Sequence, residues 1–283
     1  MAISNFIPEL WTAEALDTLK NTLVAESVCD MSYNSMVINE GDKIHILKHA
    51  AVADAAYPAS SNITYNALSD GTSDLDVDTK RYWAIEVQDL DKVQSKPEFV
   101  TKAAQNGAYD IADHFDALLL AEYANASLDS YESSTTDWQF TTATAADVPM
   151  LFASLVRQLQ AANAPMRGKP FLIVPPTMGE AINVYFGGKA TDRTGIIANG
   201  FKGNFFGINV YISNNCTNET SSDHGLCGIE GESIALVYQM KRMEALRLEG
   251  RFSDGVRSLV VGGLKTYRPE ILIDVNLNET IMA

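Results

Sequence analysis

Three aspartates at alternate positions, Asp74, Asp76 and Asp78, are the side chains of this sequence best spaced for chemistry. In an extended strand, residues two apart point to one side, so the three carboxylates share a face. Such a face holds a divalent ion if another element supplies further oxygens, and the protein would then be a metal-dependent hydrolase. The flanking residues fit a calcium loop poorly: glycine near the middle and glutamate at the end are replaced by Thr79-Lys80-Arg81. A strand edge facing solvent or a partner explains the same spacing. The histidines, His45, His49, His114 and His224, form no HExxH, and Cys29, Cys216 and Cys227 form no CxxC, so neither zinc signature is present. His45 and His49 are four apart on a segment that reads as strand, which is not the helical spacing of a metal pair, and His114 sits on a helix surface. There is no GxSxG elbow and no P-loop. Gly225, Gly228 and Gly231 lack the dinucleotide pattern. The sequence therefore predicts no catalytic residue, no cofactor and no resident metal.

Bulk properties narrow the classes further. The chain has 283 residues, 46% of them hydrophobic, enough for a sizeable core in one large or two modest domains. Its 36 acidic and 21 basic residues give a net charge of −15, which repels phosphate backbones and argues against sequence-specific duplex binding. No apolar run approaches the length of a membrane span. The opening MAISNFIPELW has neither the basic nor the long apolar region of a secretory signal. Three widely spread cysteines predict free thiols in a reducing compartment.

The elements organise around SKPEFVTKAAQNGAYDIADHFDALLLAEYAN, from Ser95 to Asn125. Ser95 and Glu98 form a capping box, and Pro97 lies in the first turn, where no N–H donor is needed. Val100, Ala104, Ala108, Ile111, Phe115, Leu118 and Leu119 recur at helical spacing, with Lys102, Asn106, Asp110, Asp113 and Asp116 mostly off that stripe. Gly107 on its border lets a sheet pack closely against this long helix. Before it, KIHILKH and SDLDVDTKRYWAIEVQDL predict two strands joined by a long polar connection. Asp74, Asp76 and Asp78 lie on one face, and Leu75, Val77 and Thr79 on the other. Such a hairpin has too few apolar residues to own a core and needs an outside surface. Phe6, Ile7, Leu10 and Trp11 likewise sit in a segment too short for a core, which must dock on its own domain or on a neighbouring chain. After the long helix come a helix over Asp147–Asn163, a strand over Phe171–Val174, a helix opened by Thr177 and Glu180, a loop-rich stretch to about residue 231 and a strand-rich last third.

This order of parts resembles the major capsid proteins of tailed bacteriophages, the Hong Kong 97 fold. Gly203-Asn204-Phe205-Phe206-Gly207-Ile208-Asn209-Val210-Tyr211-Ile212-Ser213-Asn214 is similar to a recurrent pattern of that family, and Arg251 to Arg257 and Tyr267 to Glu270 resemble its closing strands. The resemblance implies an α+β chain with an N-terminal arm (1–38), an extended loop (39–92), a spine helix with the first part of a peripheral domain (93–170), an axial domain (171–231) and closing strands (232–283). It implies a shell of pentamers and hexamers, assembled from copies of the chain in a virion made in bacterial cytoplasm, that encloses double-stranded DNA without specific binding. Phe6, Ile7, Leu10, Trp11, Leu75, Val77 and Trp83 are then the expected subunit contacts, and scaffolding, portal and decoration proteins the expected partners. A chain that opens at the arm would need a separate scaffold or none. No crosslinking lysine is placed. An encapsulin-like compartment is the alternative within the same fold.

Overall fold

The computed structural model describes residues 24–36, 43–49, 70–88, 98–131, 137–139, 147–165, 168–187, 201–219, 222–248, 250 and 252–278. Phe6, Ile7, Leu10, Trp11 and the Ser95–Pro97 part of the capping box lie outside them. The long helix, α2, runs Glu98–Ala121 and tightens into a 3-10 turn over Glu122–Asn125. At about 1.5 Å per residue its 24 residues extend about 36 Å. Its apolar stripe is buried from Ala104 through Ala108, Ile111, Ala112, Phe115, Leu119 and Leu120. Asp116, expected off the stripe, is also buried: its Oδ1 accepts the backbone N–H of Ala25 at 3.0 Å. That bond anchors a short helix, α1 (Val24–Val28), against the C-terminal part of α2.

Two sheets share α2. A seven-stranded sheet has β4 (Leu128–Ser130), β12 (Ile273–Asn278), β9 (Ser222–Ile229), β5 (Pro170–Val174), β7 (Ile208–Ile212) and β6 (Phe201–Phe205) in that order, with β8 (Thr217–Glu219) paired to β9. Its residues alternate between two cores, as the two-residue strand period requires. Phe171, Ile173 and Leu226 pack toward α2. Leu172, Val174 and Cys227 pack toward α3 (Asp147–Ala161) and α4 (Pro176–Gly187). On the other side of α2 is a three-stranded antiparallel sheet of β10 (Ile234–Arg247), β11 (Ser253–Thr266) and β3 (Thr79–Gln88). Here Ile234, Leu236 and Tyr238 of β10 face α2, and Ala235 and Val237 face away.

What covers that far face is the hairpin of β1 (Lys43–His49) and β2 (Asp70–Asp76), paired antiparallel from Lys43↔Asp76 to His49↔Asp70. Ile44, Ile46, Leu75 and Val77 pack on Ala235, Val237, Val261 and Tyr267. The predicted second hairpin strand therefore divides. β2 ends at Asp76, and after Val77-Asp78 the chain enters the plane of the other sheet, where β3 pairs with β11 from Thr79↔Gly262 to Gln88↔Ser253. The segment 222–229, expected within a loop-rich stretch, is instead the buried strand β9 between β5 and β12. Its glycine content answers packing rather than turning: a Cβ at Gly228 would sit 3.1 Å from the Phe171 ring. Pro269 opens a 3-10 turn ahead of β12.

β11 is pinched between its two covers at Gly262-Gly263. A Cβ at Gly262 would lie 2.6 Å from Phe115 and 2.8 Å from the Val237 carbonyl, and one at Gly263 would overlap the Asp76 carbonyl. Gly262→Val should lower unfolding free energy by about 3 kcal/mol in urea denaturation, because neither ring nor backbone can retreat. Gly255→Ala on the same strand, 3.4 Å from the flexible Leu248, should cost less than about 1 kcal/mol.

Candidate functional site

The hairpin bearing the aspartates has one charged and one apolar face. On the charged face, Lys43 Nζ lies 2.9 Å from Asp76 Oδ1, and His45 Nδ1 lies 2.6 Å from Asp74 Oδ1. Both are directly opposed cross-strand pairs. Asp78, beyond the end of β2, accepts from Thr79 Oγ1. Two carboxylates of the row that spacing alone made a possible ion site thus face Lys43 and His45 of β1. Among the described residues no cluster of three or more His, Cys, Asp or Glu side chains could hold a metal.

The apolar face requires a correction. Leu75, Val77 and Trp83 were expected as contacts between subunits, because the hairpin cannot bury them alone. All three are buried within this chain. Leu75 and Val77 belong to the core under β10 and β11. Trp83 lies on the α2 side of β3, seated over Gly107, where any Cβ would come within 2.8 Å of the indole. The outside surface that the hairpin needed is the back of its own three-stranded sheet.

Ionisable groups inside the molecule serve as ties. His224 of β9 and Asp274 of β12 are 3.0 Å apart and buried, and Tyr123 stacks on the imidazole at 4.1 Å between centroids. Burial pushes the Asp274 carboxyl above its usual range, against the lowering effect of the His224 hydrogen bond. Glu122 accepts from the backbone and hydroxyl of Thr266 and from Asn125, fixing the end of the long helix to β11. The three cysteines are free thiols. Burial raises the Cys216 and Cys227 thiols to about 12, so they are protonated and unreactive at neutral pH.

The outward-facing apolar residues are ones that sequence reasoning did not select. Tyr82, Phe206 and Phe252 expose most of their area, Phe252 85% of it. Strand parity could have found Tyr82: with Trp83 facing α2, its neighbour must face outward. Phe206 sits in the β6–β7 turn with φ +52 and leans on Phe152.

This architecture is that of virus-shell subunits. The capsid structure of the cyanophage P-SCSP1u matches 91% of this chain and 86% of its own at 16% identity, with a TM-score of 0.62. A chain from Mycobacterium phage Che8 shares 25% identity over 87% of this chain and 88% of that one, with a TM-score of 0.67. An encapsulin complex from Synechococcus elongatus shares the fold at 9% identity and a TM-score of 0.58, over 87% and 86% of the two chains. Residues 70–263 match the family described as phage capsid protein, and the chain belongs to that family. It is a capsid protein that assembles with copies of itself into a shell. No curated protein sequence matches it.

Because Leu75 is fully buried in the chain's own core, Leu75→Ala should lower the stability of the isolated subunit by about 2–5 kcal/mol, seen as a fall in melting temperature before any assembly. Replacing Asp74, Asp76 and Asp78 together with Asn should leave the subunit's melting temperature nearly unchanged, because exposed ion pairs contribute little. Calorimetric titration with calcium or magnesium should give the same flat response before and after the change.

Proposed function

We propose that this protein is the major subunit of an icosahedral phage head that encloses double-stranded DNA, arranged as pentamers and hexamers. The observation that carries the reading is the family match over residues 70–263, joined to near-complete reciprocal coverage with the Che8 chain. A structural role without catalysis follows from that reading. The strongly acidic composition suits an inner wall that must not grip the packaged DNA. Within this reading, residues 1–38 are the arm, 39–92 the extended loop, 93–170 the spine helix and first peripheral part, 171–231 the axial domain and 232–283 the closing strands. Scaffolding, portal and decoration proteins are its further partners, and synthesis is in the cytoplasm of a bacterial host.

The arm contacts neighbouring subunits through Phe6, Ile7, Leu10 and Trp11. What supports this is the root from which the arm departs. Asp116 holds Ala25, Asp30 bridges the edge of β10 at Ala235, and Tyr238 bonds Glu26 and Asn34. Chain that precedes Val24 thus starts from a fixed point on the subunit, within reach of a neighbour for the apolar side chains of the arm.

A second reading, a compartment that encloses enzymes, shares the fold of the Synechococcus encapsulin. Electron microscopy of purified protein should show regular shells, and nucleic acid or enzyme recovered with shells from infected cells separates the two readings. Phe6→Ala with Trp11→Ala should leave the subunit's melting temperature unchanged and cut shell yield about tenfold or more. Normal shells from that variant would remove the arm's role, and a lone monomer at every concentration would remove the shell.

A further inference from the structure

The two sheets are joined strand to strand by two passages that lie side by side. Residues 230–233 carry β9 into β10, and residues 267–272 carry β11 into β12. Tyr267 and Arg268 donate their backbone N–H groups to the Ser233 carbonyl, and the Tyr267 hydroxyl donates to the Gly231 carbonyl at 3.1 Å. Arg268 pairs with Glu232 at 2.9 Å. Gly231 has φ +70, with open space where a Cβ would stand. The passages thus form one narrow seam. Along α2 the sheets meet through apolar side chains, whose attraction is non-directional.

Helix α1 crosses this seam and is tied on both sides of it. Toward the seven-stranded sheet, Ser27 hydrogen-bonds the Tyr211 hydroxyl, which itself donates to Glu230 Oε1 at 3.1 Å. Toward the three-stranded sheet, the Tyr238 hydroxyl donates to Glu26 Oε1 at 3.2 Å. On the seam itself, the Val28 carbonyl accepts the Gly231 N–H at 2.9 Å. With Ala25 held by Asp116, four successive residues bond four different parts of the subunit. Burial, with Glu230 and Glu26 beside them, raises the Tyr211 and Tyr238 hydroxyls, so both remain donors at neutral pH. The outer ties act far from the seam. β7 is two strands from β9, about 10 Å across the sheet, and Tyr238 is four residues into β10, about 13 Å along it. A rotation of about 10° about the seam moves points at that distance by about 2 Å, enough to break a hydrogen bond.

We propose that α1 is a brace that fixes the angle between the two sheets, and through it the curvature of the shell, with Glu26 and Ser27 as its fasteners. The inference rests on the shell reading. Pentamers and hexamers place one sequence in more than one setting, so the angle each subunit holds decides how sharply the wall bends. Helix α1 is also where the arm joins the body. A load that neighbours place on the chain before Val24 therefore reaches both sheets through the same bonds, and neighbours bias which angle a subunit holds.

Removing the fasteners tests the brace. Tyr211→Phe with Tyr238→Phe deletes both hydroxyl ties and keeps both rings in the core. It should lower the melting temperature by no more than a few degrees and keep shell yield within about threefold, while fewer than about half of the shells keep the wild-type diameter in electron micrographs. Tyr267→Phe deletes a hydroxyl bond of the same kind inside the seam, and its shells should stay uniform. If the double variant does not fold, Glu26→Ala with Ser27→Ala, at the outer side of α1, is read the same way. Folded variants of either design that give uniform shells of wild-type diameter overturn the brace, as does an equal spread of diameters from Tyr267→Phe, and both leave the shell reading intact. A wild-type protein that stays monomeric overturns both.

Discussion

Strand β11 is the constraint from which the rest of this subunit follows. It lies between two covers that approach to contact distance, the Phe115 ring on one side and the Asp76 carbonyl on the other, and only Gly262-Gly263 leaves room for both. Everything else is layered outward from that pinch. On one side come the long helix, the seven-stranded sheet and the two shorter helices. On the other comes the hairpin. The layers share side chains strand by strand: Ile234, Leu236, Tyr238 and Val260 belong to the helix core, and Ala235, Val237 and Val261 to the hairpin core. Neither β10 nor β11 is optional to either layer, which couples hairpin position to helix position through a single residue step.

Where local pattern and tertiary demand agree, the sequence is readable. The stripe of α2, the inner side of α3 and the apolar run of β5 each satisfy the period of the element they form, and all emerge in place. The hairpin pairing is likewise present, in an unbroken register from Lys43↔Asp76 to His49↔Asp70. The failures have a common cause: a partner distant in sequence decided the local outcome. β9 looked like loop because its glycines make room for neighbours such as Phe171, and that information lies some fifty residues away. β3 looked like a continuation of β2 because nothing local records that β11 claims it. Asp116 looked like a solvated helix residue because the backbone N–H it serves belongs to Ala25.

The site reading divides the same way. Alternating aspartates were legible as one face of a strand, and the structure sets a lysine and a histidine directly opposite two of them, Asp76 and Asp74. That the hairpin's apolar face needed a cover was a sound deduction from its size. The identity of the cover was not available, because it consists of β10 and β11, about two hundred residues further on. Leu75, Val77 and Trp83 are consequently interior, and the apolar area left outside lies on residues such as Tyr82. Ordered resemblance across the whole chain carried more information than any single motif, since a structural subunit needs shape and contact rather than a fixed constellation of reactive groups.

The long antiparallel ladder of β10 and β11 has a mechanical corollary. Thirteen registered pairs lie along two strands of fourteen residues each, with a third strand beside them. Tension applied along such strands loads every rung together, in shear, whereas a force across them would peel one rung at a time. A wall whose load runs along these strands stretches stiffly and yields late, and its weak direction lies at right angles, across the open rim of β3.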